Sequence, residues 1–207
     1  MRTKSLHTVA LVFDEVELLD VMSPIGVITN AGRTWNFRPF KIELAAETNG
    51  PVTTASGLPL AATRDFASDS PIDILLVPGG YGARRVATSS AHQLWLRSAV
   101  ARAEVVAVLG NGLLPLAHAG CLATLEVAAQ PELAADLAAV EPTLRVRATD
   151  AVCVSGKFLS VRTGARGLEL GCEIVARSFG AKLAAMVAGT LGIAWAGAAQ
   201  GLEILQP

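Results

Sequence analysis

The chain has 207 residues, of which 52 % are hydrophobic and 17 % charged, and its formal net charge is −1. That length suits one large α/β domain or two small ones, with no linker to favour two, and so little net charge excludes electrostatic capture by nucleic acid or by an anionic membrane as its defining activity. No apolar run approaches the ~18 residues of a membrane span, and Cys121, Cys153 and Cys172 lack metal-ligand spacing and read as reduced, cytoplasmic thiols. Met1 to His7 leads into a strand rather than a signal-peptide core. His7–Phe13 (HTVALVF) is predicted to be a parallel-type strand, Asp14–Glu17 a turn, and Leu18–Ala31 a helix with Pro24 near its start. Phe40–Ala46 alternates as a strand, and Asn49-Gly50-Pro51 and Ser56-Gly57-Leu58-Pro59 bracket a short hairpin-like excursion. Ile72–Val77 is a buried strand ended by Pro78-Gly79-Gly80, and Ser89–Ala103 an amphipathic helix capped by Ser89 or Ser90.

The most informative stretch follows. Val105–Leu109 (VVAVL) reads as a strand buried on both faces. Gly110-Asn111-Gly112 reverses the chain, because Gly and Asn tolerate positive φ. An apolar, alanine-rich helix comes next, with Pro115 tolerable only in its first turn. Strand, sharp turn and helix are the geometry of a nucleophile elbow, which presents Ser or Cys at its apex. Here the apex holds Gly110 and Asn111. Further on, Pro131–Val140 reads as a helix, Leu144–Arg147 as a strand, Ala151–Val161 as a hairpin around Ser155-Gly156-Lys157, and Gly167–Phe179 and Leu183–Trp195 as helices. Alternating strands and helices imply a parallel sheet covered on both faces, with its site beyond the carboxyl ends of the strands. That rule selects the loops Asp14–Pro24, Pro78–Arg84 and Gly110–Leu113.

The segments FDEVELLDVMSPIGVI, LLVPGG, VLGNGLLPLAHAGCL and GKFLSVRTGARGLELGCEIVARSFG, in this order and spacing, resemble the ThiJ/PfpI superfamily. The branch they resemble most holds the isonitrile hydratases and the ligand-binding domains of related AraC-type regulators. The first segment matches an F-x-x-x-E-L-L-D-x-x-G-P pattern, with Ser23 where the pattern has Gly. The resemblance covers roughly residues 8 to 193. It implies one class I glutamine amidotransferase-like domain over residues 1–207: a flavodoxin-like three-layer α/β sandwich with a mostly parallel central sheet. It also implies a homodimer. The family's Cys falls at Gly110, its following Thr at Asn111 and its next Gly at Gly112. The acid that faces the thiol falls at Asp20, and the Pro-Gly-Gly whose amides line an anion-stabilising pocket falls at Pro78, Gly79 and Gly80. The family's later His-Trp segment has no match.

Each candidate has a plainer reading beside the functional one. Asp20 is either a helix cap or, desolvated among apolar neighbours, a proton donor and acceptor near neutrality. Gly79 and Gly80 end a strand in a tight turn, or also offer their N–H groups to a developing negative charge. Asn111 either accepts a left-handed backbone or turns its carboxamide to a ligand. His118 lies too far along the elbow helix to act at the apex, and the cysteines read as small buried residues. Glu17 and Arg84 read as solvated charges. Trp35, Phe37 and Phe40 read as packing, with a pocket lining as the alternative.

Three functions fit these readings. The first is an enzyme without a covalent nucleophile that binds a small molecule through Gly79, Gly80, Gly110, Asn111 and Gly112. Asp20 would supply acid–base chemistry for hydration, dehydration, isomerisation or cyclisation. The second is a small-molecule sensor, although the chain ends soon after the expected fold with no basic helix-turn-helix segment. The third is a structural relic of the fold. None calls for a metal, nucleotide or other cofactor, since neither a ligand cluster nor a phosphate-binding glycine fingerprint is present.

Overall fold

The computed structural model describes residues 5–35 and 39–197, the side chains of 34 and 35 excepted. In chain order it runs β1 (Leu6–Leu11), α1 (Leu18–Trp35), β2 (Phe40–Ala46), β3 (Pro51–Thr53), β4 (Pro59–Ala61), β5 (Arg64–Asp65), β6 (Ile74–Val77), α2 (Ala83–Thr88), α3 (Ser90–Arg102) and β7 (Val105–Leu109). After a single tight helical turn come α4 (Leu113–His118), β8 (Glu126–Ala128), α5 (Pro131–Val140), β9 (Arg145–Arg147), β10 (Cys153–Ser155), β11 (Phe158–Val161), α6 (Gly167–Phe179) and α7 (Ala181–Leu191). Seven strands form the central sheet in the order β10-β11-β7-β6-β1-β2-β5. Every pair is parallel except β10 with β11, the hairpin expected around Gly156. Helices α1, α6 and α7 pack together on one side, and α2 to α5 on the other. The mostly parallel three-layer arrangement expected from the sequence is the one observed.

The sequence explains why this sheet sits in the middle. ILLV of β6 and VVAVL of β7 show no polar alternation, and every residue in both is buried, as strands covered on two faces must be. From β1 the chain steps outward to β2 and then crosses back to β6 on the other flank, so β1 and β6 bracket a topological switch point. In open α/β sheets, a crevice opens there at the carboxyl ends. The pairs Val77 with Val108 and Leu109 with Val161 bring the ends of β6, β7 and β11 level.

Helix α1 is held by close approach to α6. A side chain at Gly167 would collide with Ser23, and one at Gly171 would lie 2.6 Å from Val27 Cβ. Two glycines one turn apart thus let the helices meet nearly backbone to backbone. Ser23 uses the space: its hydroxyl lies 2.7 Å from the Leu19 carbonyl and 2.9 Å from the Gly164 carbonyl. This fixes the first turns of α1, and Asp20 with them.

Several expectations are corrected in detail. Helix α7 stops at Leu191 rather than Trp195, because Gly192 adopts a left-handed conformation and donates its N–H back to Ala188 and Gly189. The first strand ends at Leu11, two residues early. The short pieces α2, β5 and β8 carry too few residues to show a period in the sequence. Ser89 is the cap of α3, accepting the His92 N–H at 3.4 Å. Phe40 is buried edge-on against Phe179 at 5.3 Å and serves as packing. The pocket alternative for Trp35 and Phe37 lies outside the described side chains.

Candidate functional site

Four loops leave the carboxyl edge of the sheet around one open cavity of about 780 Å³. Asp20, Gly80, Gly110 and Asn111 line it together, with Glu17, Tyr81, Arg84, Glu132, Arg162 and Gly164 among the remaining wall residues. Gly79 and Gly112 are buried behind this wall. A side chain at Gly112 would press on the Val77 and Pro78 carbonyls, so this glycine lets the elbow seat against the end of β6.

Asp20 is 5 % exposed. Its Oδ2 accepts the Gly79 N–H at 2.9 Å, across the switch point rather than within its own helix. The helix-cap reading therefore fails: the carboxylate tethers the β6 loop. Burial pushes its pKa up from 3.8 to about 6, the Gly79 N–H pulls it down, and the negative charge of Glu17 adds a further upward push. Desolvation wins because one backbone donor does not replace the water an ionised carboxylate loses. Close packing of backbone shapes this setting. A Cβ at Gly79 would stand 2.9 Å from Asp20 Oδ2 and collide with Asn111 Oδ1, and one at Gly164 would collide with Asp20 Oδ1.

Gly110 turns the chain at φ +54, the left-handed conformation expected at an elbow apex. A Cβ built there points at Asp20, 3.4 Å from Oδ2, with the Arg162 carbonyl next at 3.7 Å. Both are ordinary van der Waals distances, so the apex has room for a Cβ facing the acid. Asn111 is not among the described non-glycine residues at positive φ, which are Glu15 and Thr124. The left-handed reading of Asn111 is therefore overturned: Gly110 alone makes that turn.

The Asn111 carboxamide is already engaged. The Gly80 N–H donates to its Oδ1 at 2.8 Å, and its Nδ2 donates to the Gly80 carbonyl at 3.0 Å. This paired contact locks the elbow to the β6 loop. It also alters the expected use of the two glycine amides, since Gly79 N–H is held by Asp20 and Gly80 N–H by Asn111. Neither is free to receive an oxyanion unless those side chains let go.

Glu17 and Arg84 are exposed as expected, yet both stand on the cavity wall. His118 sits in the last turn of α4 and does not line it, nor does any other described histidine. Sequence reasoning missed the β11 loop. Arg162 follows that strand directly, its carbonyl 3.7 Å from a Cβ built at Gly110, and Gly164 packs on Asp20. The available signal was a cation leaving the carboxyl end of the buried run FLSV, beside the elbow strand. Cys121 is half-buried, and Cys153 and Cys172 are buried. Burial pushes all three thiols up, Cys172 to about 12, and none lies on the cavity.

Comparison with known proteins agrees with this fold. The isonitrile hydratase of Pseudomonas putida is 30 % identical over 112 residues, 54 % of this chain and 46 % of that protein, so the matched region spans just under half of that relative's length. Among solved structures, a ThiJ/PfpI family protein from Pseudomonas syringae superposes with TM-score 0.80 at 20 % identity, covering 91 % of this chain and 75 % of that one. An AraC family transcriptional regulator from Pseudomonas putida gives 0.77 at 21 % identity, covering 90 % and 99 %. DJ-1beta of Drosophila melanogaster gives 0.79 at 19 % identity, covering 93 % and 100 %. These three establish the fold alone. The DJ-1/PfpI family pattern itself matches residues 7–177, a span that contains Asp20, the elbow and the whole cavity wall, and the chain belongs to the DJ-1/PfpI family.

Proposed function

We propose that the protein is a small-molecule enzyme of the isonitrile hydratase-like branch that works without a covalent nucleophile. Asp20 carries the acid–base chemistry of a hydration, dehydration, isomerisation or cyclisation. The observation that carries this reading is the pairing of a buried carboxyl, pKa about 6, with an empty apex at Gly110 whose Cβ direction ends 3.4 Å from Oδ2. An electrophilic carbon placed there meets hydrogen instead of sulfur, so the attacking group is water or part of the substrate. Near neutrality Asp20 populates both protonation states. Ionised, it accepts a proton from a water or from the substrate; protonated, it returns one to the product. Gly80, Gly110 and Asn111 shape the wall against which the ligand lies, and Gly79 and Gly112 hold that wall from behind. The proposed chemistry draws on side chains of this chain.

By family resemblance we propose a homodimer acting on a small molecule, and from its free cysteines a cytoplasmic location. No described helix is long and apolar enough to cross a membrane. A second reading, non-catalytic binding of a small ligand, is favoured by the occupied Gly79 and Gly80 amides, which leave no free oxyanion donors at those two positions.

A turnover screen separates the two. Isonitriles, followed by small hydroxy and oxo compounds, are incubated with the wild type and with Asp20→Asn, and products are identified by mass spectrometry. The enzyme reading expects a product whose formation falls by roughly 10²-fold or more in Asp20→Asn, the usual worth of a general acid or base. Equal turnover in the variant would remove Asp20 from the mechanism. Binding with no turnover would favour the second reading.

A further inference from the structure

Arg84 and Arg162 are the two cations on the cavity wall, beside the carboxylates of Glu17, Asp20 and Glu132. They are engaged differently. Arg84 is 66 % exposed, and its Nη2 meets Asp136 on α5 at 2.5 Å, which ties α2 to α5. Arg162 is 25 % exposed and leaves β11 one position beyond the Val161–Leu109 pair, level with Gly110. A guanidinium has five N–H donors. Here Nη1 donates to Asp150 Oδ1 at 3.0 Å, while Nε is buried with no hydrogen-bond partner. Asp150 is 72 % exposed, so water screens that ion pair and the carboxylate is readily exchanged. A planar donor fork whose Nη1 rests on an exposed, replaceable carboxylate, one strand from the reacting position, matches the needs of a ligand carboxylate.

We propose that Arg162 is the anion-recognition residue of this cavity and that the ligand is a small monocarboxylic acid. Its carboxylate displaces Asp150 on the Arg162 guanidinium, and the rest of the molecule extends over Gly110 toward Asp20. Where that molecule reacts rests on the acid–base reading of Asp20; the recognition step does not. A single negative charge is specified by the wall itself. Glu17 and Glu132 on the same wall repel a second carboxylate.

The test uses matched probes on the full chain: benzoate against benzamide, butanoate against butanamide, and glutarate as a dianion. Binding is followed by calorimetry and ligand-observed NMR at low ionic strength. The wild type should prefer each monocarboxylate over its amide by about tenfold or more, the scale of one charge-assisted hydrogen bond. Glutarate should bind no more tightly than butanoate. Arg162→Gln should erase the preference and Arg162→Lys should keep part of it. Asp150→Asn, which alters only an exposed competitor, should tighten carboxylate binding; this arm keeps the test decisive if Arg162→Gln fails to fold. Asp20→Asn should leave the preference in place. Lack of carboxylate binding in the wild type, a preference that survives Arg162→Gln, or an Asp150→Asn variant that binds no better would each overturn the proposal. A preserved preference alongside turnover indifferent to Asp20→Asn would instead count against the acid–base reading alone.

Discussion

Gly110→Cys restores a thiol to the elbow and probes its geometry directly. The wild-type residue sits at φ +54, where an L-residue is strained by roughly 1–2 kcal/mol. The new Cβ itself makes only ordinary contacts, with Asp20 Oδ2 at 3.4 Å and the Arg162 carbonyl at 3.7 Å. For a chain of this length the loss corresponds to a melting temperature lower by about 2–8 °C. Helix α4 has only six residues, so its dipole does little for the thiolate, and the charge on Asp20 decides its acidity. Two negative charges about 4 Å apart repel by roughly 1 kcal/mol in water and several kcal/mol in a protein setting. Adding Asp20→Asn should therefore speed alkylation at pH 8 by about fivefold or more, the fold-change equivalent to the lower figure. Timed iodoacetamide labelling with peptide mapping ranks all the thiols in one experiment. The introduced Cys should react before Cys121, Cys153 and Cys172, which burial pushes up; at pH 8 a thiol with pKa about 12 is thiolate in only about one molecule in ten thousand. An introduced thiol that reacts no faster than these three, or that ignores Asp20→Asn, would refute the elbow and the pairing of Gly110 with Asp20.

Other perturbations follow from the same contacts. Asp20 has a higher pKa in the fold than in the unfolded chain, so the native state holds its proton to higher pH and loses stability as pH rises from 3.8 to about 6. Across that window the loss amounts to about 3 kcal/mol. Asp20→Asn, neutral and able to accept the same Gly79 N–H, should be more stable than wild type by up to that amount in urea titrations at pH 8, with the gap closing below about pH 4; a less stable variant at pH 8 would contradict it. Asn111→Ala leaves the Gly80 N–H and carbonyl without their partners and should cost about 1–3 kcal/mol in the same titration; an unchanged midpoint would show that the lock contributes nothing. Gly164→Ala pushes a methyl into Asp20 Oδ1, and thermal melts of single and double variants should show its cost shrinking in an Asp20→Ala background, with full additivity as the adverse result.

Much of the fold was legible in the sequence, and for physical reasons. Strands buried on both faces, ILLV and VVAVL, announce a covered parallel sheet, and their Gly-rich exits mark its carboxyl edge. Asp20 and Gly110 could be linked through family motifs, and the structure places them on one cavity. What the chain order hid is pairing across long separations. That Asn111 would clasp the Gly80 peptide depends on the register of β6 with β7, and a turn-forming Asn looks the same in sequence whether its side chain is free or bound. That Gly167 and Gly171 would seat α1 through Ser23 and Val27 requires knowing which helices meet. A charge directly after a strand, as Arg162 is, is ordinarily solvated; its standing comes from lying beside Gly110 at the carboxyl edge.

The central claim is that Asp20 is a buried, proton-exchanging carboxyl facing the cavity. Carbon-detected NMR of protein labelled at the aspartate side chains, with Asp20 assigned by its loss in Asp20→Asn, can follow that one group from pH 3 to pH 9. The expected midpoint is near 6, moved lower by Glu17→Gln as the nearby negative charge is removed. A midpoint near 4, unmoved by Glu17→Gln, would mean an ordinary solvated carboxylate and would contradict the proposed site.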